Sequence, residues 1–191
     1  MQEILDNNLV AAREFGEDQD PDFDEEVRMA DEELKYFLWL DSERSSLFFA
    51  RHVLLCEGAS EKVYFDYLAD NEWGFLRESR VYVLDCLGKY NIHRFIHLLT
   101  ELGIPHSVVF DGDNDREHHS TWNGIIADSS TQLTHTIHQF TEDLEAFLGI
   151  PKPQGRNDLK PINIIKHYVD GLIGENKKDD LECIVKRLIG V

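Results

Sequence analysis

Acidic residues stand directly after two apolar runs of this sequence. Glu57 ends the first run and Glu61 follows four residues later, while Asp111 and Asp113 end the second run. Carboxylate oxygens are the ligands that Mg²⁺ and Mn²⁺ prefer, and no Cys/His set with zinc spacing competes with them. If the four carboxylates meet, their mutual repulsion calls for a cation. The residue types therefore point to chemistry assisted by a hard divalent metal.

The elements around these acids predict how they meet. Residues 53–57 read as a buried strand, and the pattern over 60–70 reads as a helix that follows within one turn. Gly58 permits the sharp turn between them. Residues 106–111 predict a second strand. Because ligands gather beyond the carboxyl ends of parallel strands, two such strands side by side would bring the four acids into one crevice.

The rest of the chain from residue 46 alternates in the same way. With 191 residues and 42% hydrophobic content, the chain suits one domain with an appendage and a real core. The alternation predicts an α/β fold in which helices flank a parallel sheet. The further predicted strands are 80–86 and 134–140. The further predicted helices are 92–102, a short one within 118–130, one opening at 143, one from 161 to about 169, and 181–189.

Residues 1–45 predict a helical extension or linker ahead of the main domain, which spans residues 46–191. Helical patterns cover 2–15 and 27–40, and the charged stretch 16–26 reads as an exposed linker rather than a calcium loop, whose ligand spacing it does not meet. The apolar end of the second helix, residues 36–40, is expected to pack back on the domain or to dock onto another chain.

The charge balance limits the partners. Nineteen Lys and Arg stand against 37 Asp and Glu, for a formal net charge of −18, so the chain by itself should repel a phosphate backbone. The absence of a long apolar run or a basic N-terminal leader predicts a cytoplasmic protein with no membrane partner. Cys56, Cys86 and Cys183 are expected to be reduced core residues.

Three separated motifs carry a family resemblance. Residues 48–61, the pair Gly88-Lys89, and Val109 to Asp113 resemble, in order and spacing, the Toprim domain of the OLD (overcoming lysogenization defect) family of nucleases. In that family the strands end in Glu-Gly-x-x-Glu, a Gly-Gly-Lys-like turn and Asp-x-Asp. The likeness covers roughly residues 46–170. Leu87 stands where the family usually has the first glycine.

The resemblance implies a Toprim (Rossmann-like) sheet and a metal-dependent DNA endonuclease or nickase that hydrolyses phosphodiester bonds with two Mg²⁺ or Mn²⁺ ions. Residues 46–191 would then be the Toprim nuclease domain with its C-terminal helices. The resemblance also assigns Leu144-Glu145 and Lys160-Pro161 to later family motifs. It implies a first ion held by Glu57, Asp111 and Asp113, a second held by Glu61 and Glu145, and catalysis by Glu57, Asp111, Asp113 and Lys160.

The family also suggests partners. OLD proteins of the common kind carry an ATPase domain ahead of Toprim, and no Walker-type glycine-rich loop occurs in this sequence. We therefore expect either an excised domain or a standalone subunit that works with an ATPase, within an oligomeric assembly for anti-phage defence. DNA would bind weakly to the chain alone, through the metal.

Other readings of the same residues remain open. A topoisomerase or primase shares the acid set, but it needs a tyrosine domain or nucleotide-binding parts, and neither is visible in this sequence. A non-catalytic Toprim module would serve only binding or regulation. The alternative interpretation of Lys160 is a solvated surface lysine, and Lys89 is either a turn cap or the next candidate for the catalytic cation. His93 and His97 have zinc-like spacing, but ordinary packing is favoured. His118 and His119 could line the site, but an exposed loop is the preferred interpretation.

Overall fold

The structure, a computed structural model, describes residues 44–113, 117–153 and 159–191, without the side chains of Glu117 and His118. The two helices and the acidic linker predicted before residue 44 lie outside the described residues. The described chain begins with a 3₁₀ helix, Arg44–Phe49, whose Leu47 side chain is buried.

Four parallel strands form one sheet in the order β2-β1-β3-β4. They are β1 (His52–Cys56), β2 (Val81–Asp85), β3 (His106–Phe110) and β4 (Thr134–Gln139). The predicted α/β fold with a parallel, Rossmann-like sheet is confirmed. The N-terminal helical extension is the part of that prediction that falls outside the described residues.

The pairing of β1 with β3 positions the acids. Cys56 lies opposite Val109 on one side and opposite Asp85 on the other. The chain therefore leaves β1 at Glu57 and leaves β3 at Asp111 along the same edge of the sheet, as the sequence predicts.

Helices connect and cover the strands. Each predicted helix from residue 60 onward is found, but the short helix α2 was not predicted, because five residues are too few for a periodic pattern. The last helix begins at Glu175 and not at residue 181, where it was predicted to begin. Its first two turns are polar and mostly exposed, so they lack the apolar periodicity that predicts a helix. The helices are α1 (Ala59–Asn71), α2 (Gly74–Glu78), α3 (Ile92–Glu101), α4 (Glu117–Asp128), α5 (Leu144–Leu148), α6 (Lys160–Val169) and α7 (Glu175–Ile189), with a 3₁₀ turn at Lys89–Asn91.

The sheet is buried on both faces. Leu54 and Cys56 point into a core formed with α1, α2, α5, α6 and α7, whereas Val53 and Leu55 point into a second core formed with α3 and α4. Because helices cover both faces of the sheet, β1 is apolar from Val53 to Cys56 and does not alternate between apolar and polar residues.

The cysteines depart from the prediction in one case. Cys56 and Cys86 are buried free thiols, as expected, but Cys183 is exposed on α7, because its position falls on the outer face of that helix. Within the described residues, the structure has no helix that is both long enough and apolar enough to cross a membrane.

Candidate functional site

The turn from β1 into α1 positions the first two acids. Gly58 is the N-cap residue of α1, and its backbone N–H donates to Oε2 of Glu61 over 3.1 Å. This bond folds the Glu61 side chain back onto the helix start, where it is 4% exposed. Burial, reinforced by the negative charges of Glu57 and Glu145, raises the pKa of Glu61 to about 8.

Asp111 links the strand β3 to two other segments. Its backbone N–H donates to Oε2 of Glu57 over 3.2 Å, and its own Oδ1 accepts the N–H of Leu144 at 3.1 Å. Burial, together with the charges of Glu61 and Glu57, raises the pKa of Asp111 to about 9. Burial also raises the pKa of Glu57, although the nearby Lys89 ammonium opposes the rise.

Gly112 makes the close approach behind these acids possible. A Cβ atom at this position would lie 2.5 Å from the carbonyl oxygen of Phe140 and 2.6 Å from that of Thr141. The N–H groups of Gly112 and Asp113 both donate to the carbonyl of Glu142, at 2.7 and 3.1 Å. The loop after β4 thus clamps the Asp-Gly-Asp segment in place.

Asp113 is held by two side chains from other elements. Its φ of 46° is in the left-handed region. Its Oδ2 atom lies 3.0 Å from Nζ of Lys89 and 3.2 Å from Nδ1 of His119. Burial works to raise the pKa of Asp113, but the hydrogen bond and charge of Lys89, with the contribution of His119, outweigh it and lower the pKa.

The helix α5 brings the fifth acid to the site. Asp143 caps this helix, accepting the N–H of Ala146 at 2.8 Å, and also pairs with Lys152. Glu145, in the first turn, is 1% exposed, and its Oε1 atom has no hydrogen-bond partner within the part of the chain that the structure describes. Nζ of Lys160, at the start of α6, lies 3.8 Å from that oxygen.

The six residues expected at the site therefore converge on one edge of the sheet. As they stand, no three His, Cys, Asp or Glu side chains of the described residues are arranged closely enough to hold a metal ion. Glu57, Glu61 and Asp111 each accept a backbone N–H instead, and Asp113 accepts a hydrogen bond from the Lys89 ammonium. The donor chemistry nevertheless fits a hard cation, since buried carboxylates with raised pKa values gain from a nearby positive charge.

Three residues differ from their expected places or were missed. Lys89 is not a simple turn cap, because it is 3% exposed and bonded to Asp113. His119 lies in α4 and contacts the same carboxylate, rather than lying on an exposed loop. Asp143 is 2% exposed and its charge acts on Asp111. An acid directly before a predicted helix is an ordinary capping signal, and this is the signal that marks Asp143 in the sequence.

Two further expectations concern neighbouring residues. His93 is fully buried and packs 5.5 Å from the ring of Trp122, in agreement with the predicted packing role. Leu87, where the resemblance leads us to expect a glycine, adopts a φ of 60°, and Gly88 follows with a φ of 112°. The backbone therefore keeps a glycine-like turn, although the side chain at its first position is leucine.

Comparisons with known proteins agree with the resemblance. The family model described as the overcoming lysogenization defect protein-like TOPRIM domain matches residues 48–113, a segment that includes Glu57, Glu61, Lys89, Asp111 and Asp113. Glu145 and Lys160 lie outside the matched segment. Among curated proteins, no sequence matches the chain.

Two solved structures of the C-terminal region of the OLD protein of Xanthomonas campestris pv. campestris are similar to this chain. The structure phased with iodine is 23% identical, covers 75% of this chain and 81% of its own, and has a TM-score of 0.38. The structure phased with platinum is 22% identical, covers 76% and 80%, and has the same TM-score.

Proposed function

We propose, on the premise that residues 48–113 carry an OLD-like Toprim domain, that this chain supplies the metal-dependent cleavage centre of a DNA endonuclease or nickase. The observation that carries the proposal is the burial of several carboxylates at one edge of the sheet. Glu61, Asp111 and Glu145 are each less than 8% exposed, and negative charge is costly at such positions unless a cation accompanies it.

By the family resemblance, the residues would divide between two cations. Glu57, Asp111 and Asp113, at the ends of β1 and β3, would hold one Mg²⁺ or Mn²⁺ ion. Glu61 and Glu145, whose charges act on each other across the site, would hold the second. When bound, the two ions supply activation of the attacking water and neutralise charge on the phosphodiester.

Lys160 is suited to contact the substrate. Its ammonium lies at the start of α6, 3.8 Å from Glu145, and its side chain is 29% exposed. Pro161 follows it at the first turn of the helix, which fixes the direction from which Lys160 enters the site. A positive charge there stabilises the additional negative charge that develops on the phosphate in the transition state.

The distribution of charge bears on DNA binding. Residues 1–43 carry 15 of the 37 acidic residues and three of the 19 basic ones. The described part of the chain is therefore closer to electroneutral than the whole, although it remains acidic. A phosphate backbone would approach this surface mainly through metal ions and the few basic groups at the site.

We propose further that an ATPase, as a domain or as a separate subunit in an oligomeric assembly, brings DNA to the site during anti-phage defence. The net charge of −18 supports this, because the isolated chain lacks the positive surface that DNA binding needs. Filter binding of duplex DNA over a range of salt concentrations, without divalent metal, tests it. Tight, salt-sensitive binding by the isolated chain would contradict it.

The metal site is tested by thermal unfolding during Mg²⁺ and Mn²⁺ titration. We expect the metals to raise the melting temperature of the wild type, and hardly that of the double variant Asp111→Asn/Asp113→Asn. The matched control is Asp179→Asn/Asp180→Asn on the exposed side of α7, which should respond as the wild type does. Equal stabilisation of all three proteins would refute the site.

Plasmid cleavage in the same metals separates an enzyme from a module. We expect nicked or linear plasmid with the wild type and neither with the double variant at Asp111 and Asp113. Metal-dependent stabilisation without any cleavage, also in the presence of the ATPase partner, would favour a non-catalytic Toprim module for binding or regulation.

A further inference from the structure

Lys89 is a buried lysine at the centre of the acidic edge. It begins the 3₁₀ turn after β2 and is 3% exposed. The turn is tied to the first acid, because the N–H of Gly88 donates to the carbonyl of Glu57 at 2.7 Å. The Lys89 ammonium therefore has a fixed place beside the ends of β1 and β3.

The contacts of Lys89 are those of an internal ion pair. Nζ lies 3.0 Å from Oδ2 of Asp113 and 3.3 Å from Nδ1 of His119, and 5.8 Å from the centre of the Phe110 ring. Its charge also acts on Glu57. A buried ammonium is costly unless carboxylates compensate it, so its charge and those of the two acids depend on one another.

Asp113 is held from one side. Lys89 and His119 both approach its Oδ2 atom, and its backbone is clamped by the hydrogen bond to the carbonyl of Glu142. With Oδ2 engaged in this way, the orientation of the carboxylate is determined, and Oδ1 is the oxygen available to a ligand. The left-handed backbone conformation of Asp113 restricts the carboxylate further, because it leaves the residue little freedom to reorient.

We propose that Lys89 is a positioning residue that acts as a resident counter-ion, holding Asp113 by one oxygen and lowering the affinity of the site for the divalent cation. This inference rests on the proposed metal-dependent function. A positive charge a few ångströms from a bound dication repels it, and the repulsion at a partly buried site amounts to a tenfold or larger effect on affinity.

The two lysines of the site thereby have different tasks. Lys160 is 29% exposed on its side chain and lies at a longer distance, 3.8 Å, from its acid. Lys89 has 2% side-chain exposure and pairs directly with Asp113, so its ammonium is closed to a substrate phosphate by burial. Lys160 is therefore the cation that faces substrate, and Lys89 acts on the ligands.

The test is Mn²⁺ titration of the full chain by calorimetry, with Lys89→Met, Lys89→Arg and the wild type. Lys89→Met should bind Mn²⁺ about tenfold more tightly, because a charge that repels the metal is removed. Its plasmid cleavage should fall between tenfold and a hundredfold, because Asp113 is no longer held in place. Lys89→Arg, which keeps the charge, should retain an affinity close to that of the wild type.

The control is Lys178→Met, which removes the same charge from the surface of α7, where the lysine pairs with Glu175. It should leave Mn²⁺ affinity unchanged. Unchanged or weaker Mn²⁺ binding by Lys89→Met overturns the inference. If Lys89→Met does not fold, Lys89→Gln takes its place, and weaker Mn²⁺ binding by that variant overturns the inference in the same way. If the wild type itself binds no Mn²⁺, the proposed function fails instead, so the two failures are distinguishable.

Discussion

The backbone N–H of Asp111 donates to Oε2 of Glu57 across 3.2 Å, joining residues that are 54 positions apart in the chain. The bond exists because β1 and β3 are neighbours with Cys56 opposite Val109. It makes the two acids one unit, since a movement of either strand end displaces both carboxylates. The site therefore depends on strand register as much as on the identity of its acids.

Replacing Lys160 by alanine should slow cleavage about a hundredfold, which is the usual cost of removing one positioned transition-state donor. Metal-induced stabilisation should remain, because the lysine is not a ligand. Plasmid nicking rates, measured with the ATPase partner present, give the first quantity, and thermal unfolding in Mn²⁺ gives the second.

Lys166→Ala is the matched control for this experiment, because Lys166 lies on the same helix and lines an apolar surface pocket with Ile162 and Val169. It should cleave at the wild-type rate. If Lys160→Ala also does so, Lys160 is a solvated surface residue and the catalytic cation lies elsewhere.

Gly112→Ala should destabilise the protein by about 2 kcal/mol or more, because the new methyl group would overlap backbone carbonyl oxygens that cannot move away easily. It should also weaken metal binding by displacing Asp111 and Asp113. Urea unfolding measures the first effect and Mn²⁺ titration the second.

Gly124→Ala provides the comparison for this change, since a Cβ atom there meets no heavy atom within 4 Å and the residue lies inside α4. It should be stabilising by about 0.5 kcal/mol, because alanine is the better helix former. A Gly112→Ala variant as stable as Gly124→Ala would show that the loop after β4 gives way.

Leu87→Gly should raise stability by about 0.5 kcal/mol. Its φ of 60° is costly for a residue with a Cβ atom, and glycine removes that strain. The opposing costs are smaller, because the leucine side chain is 50% exposed and loses little burial, and the greater backbone entropy that glycine loses on folding only partly offsets the gain. Leu102→Gly, at a similarly exposed leucine with a φ of −80°, should instead destabilise the protein. Chemical denaturation compares them, and a loss of stability in Leu87→Gly would contradict the strain argument.

His52 should contribute a loss of stability as the pH is lowered from about 6.5 to about 4. Nε2 of His52 lies 3.1 Å from Oγ of Ser107, and burial, with the charges of His135 and His106, lowers the pKa of His52 to about 4. Between pH 6.5 and 4 the unfolded chain therefore binds the proton and the folded chain does not, which favours unfolding as the pH falls.

His52→Gln keeps a donor for Ser107 but has no titratable group. The free energy of unfolding of this variant, relative to that of the wild type, should increase as the pH is lowered from 7 to 5. Acidic residues titrate equally in both proteins, so the comparison isolates His52. A constant difference across this range would show that His52 is protonated as easily in the folded protein as in the unfolded chain.

Much of the architecture follows from local sequence. The buried strand 53–57, the helix after Gly58 and the later strand–helix alternation are encoded in apolar periodicity and turn residues, which act over a few positions. The same signals place Glu57, Asp111 and Asp113 at strand ends and Glu61 in the first turn of the following helix, so the parallel arrangement of the sheet is enough to expect them together.

The remaining features arise from contacts between segments that are far apart in the chain. Nothing local to Lys89 shows that it will be buried against Asp113, and nothing local to His119 shows that it will reach the same oxygen. The need for glycine at position 112 likewise comes from carbonyl groups in the loop after β4. Periodicity determines which residues face a core, whereas the strand order β2-β1-β3-β4 and its register decide which charges become neighbours, because electrostatic and steric contacts depend on distance in space.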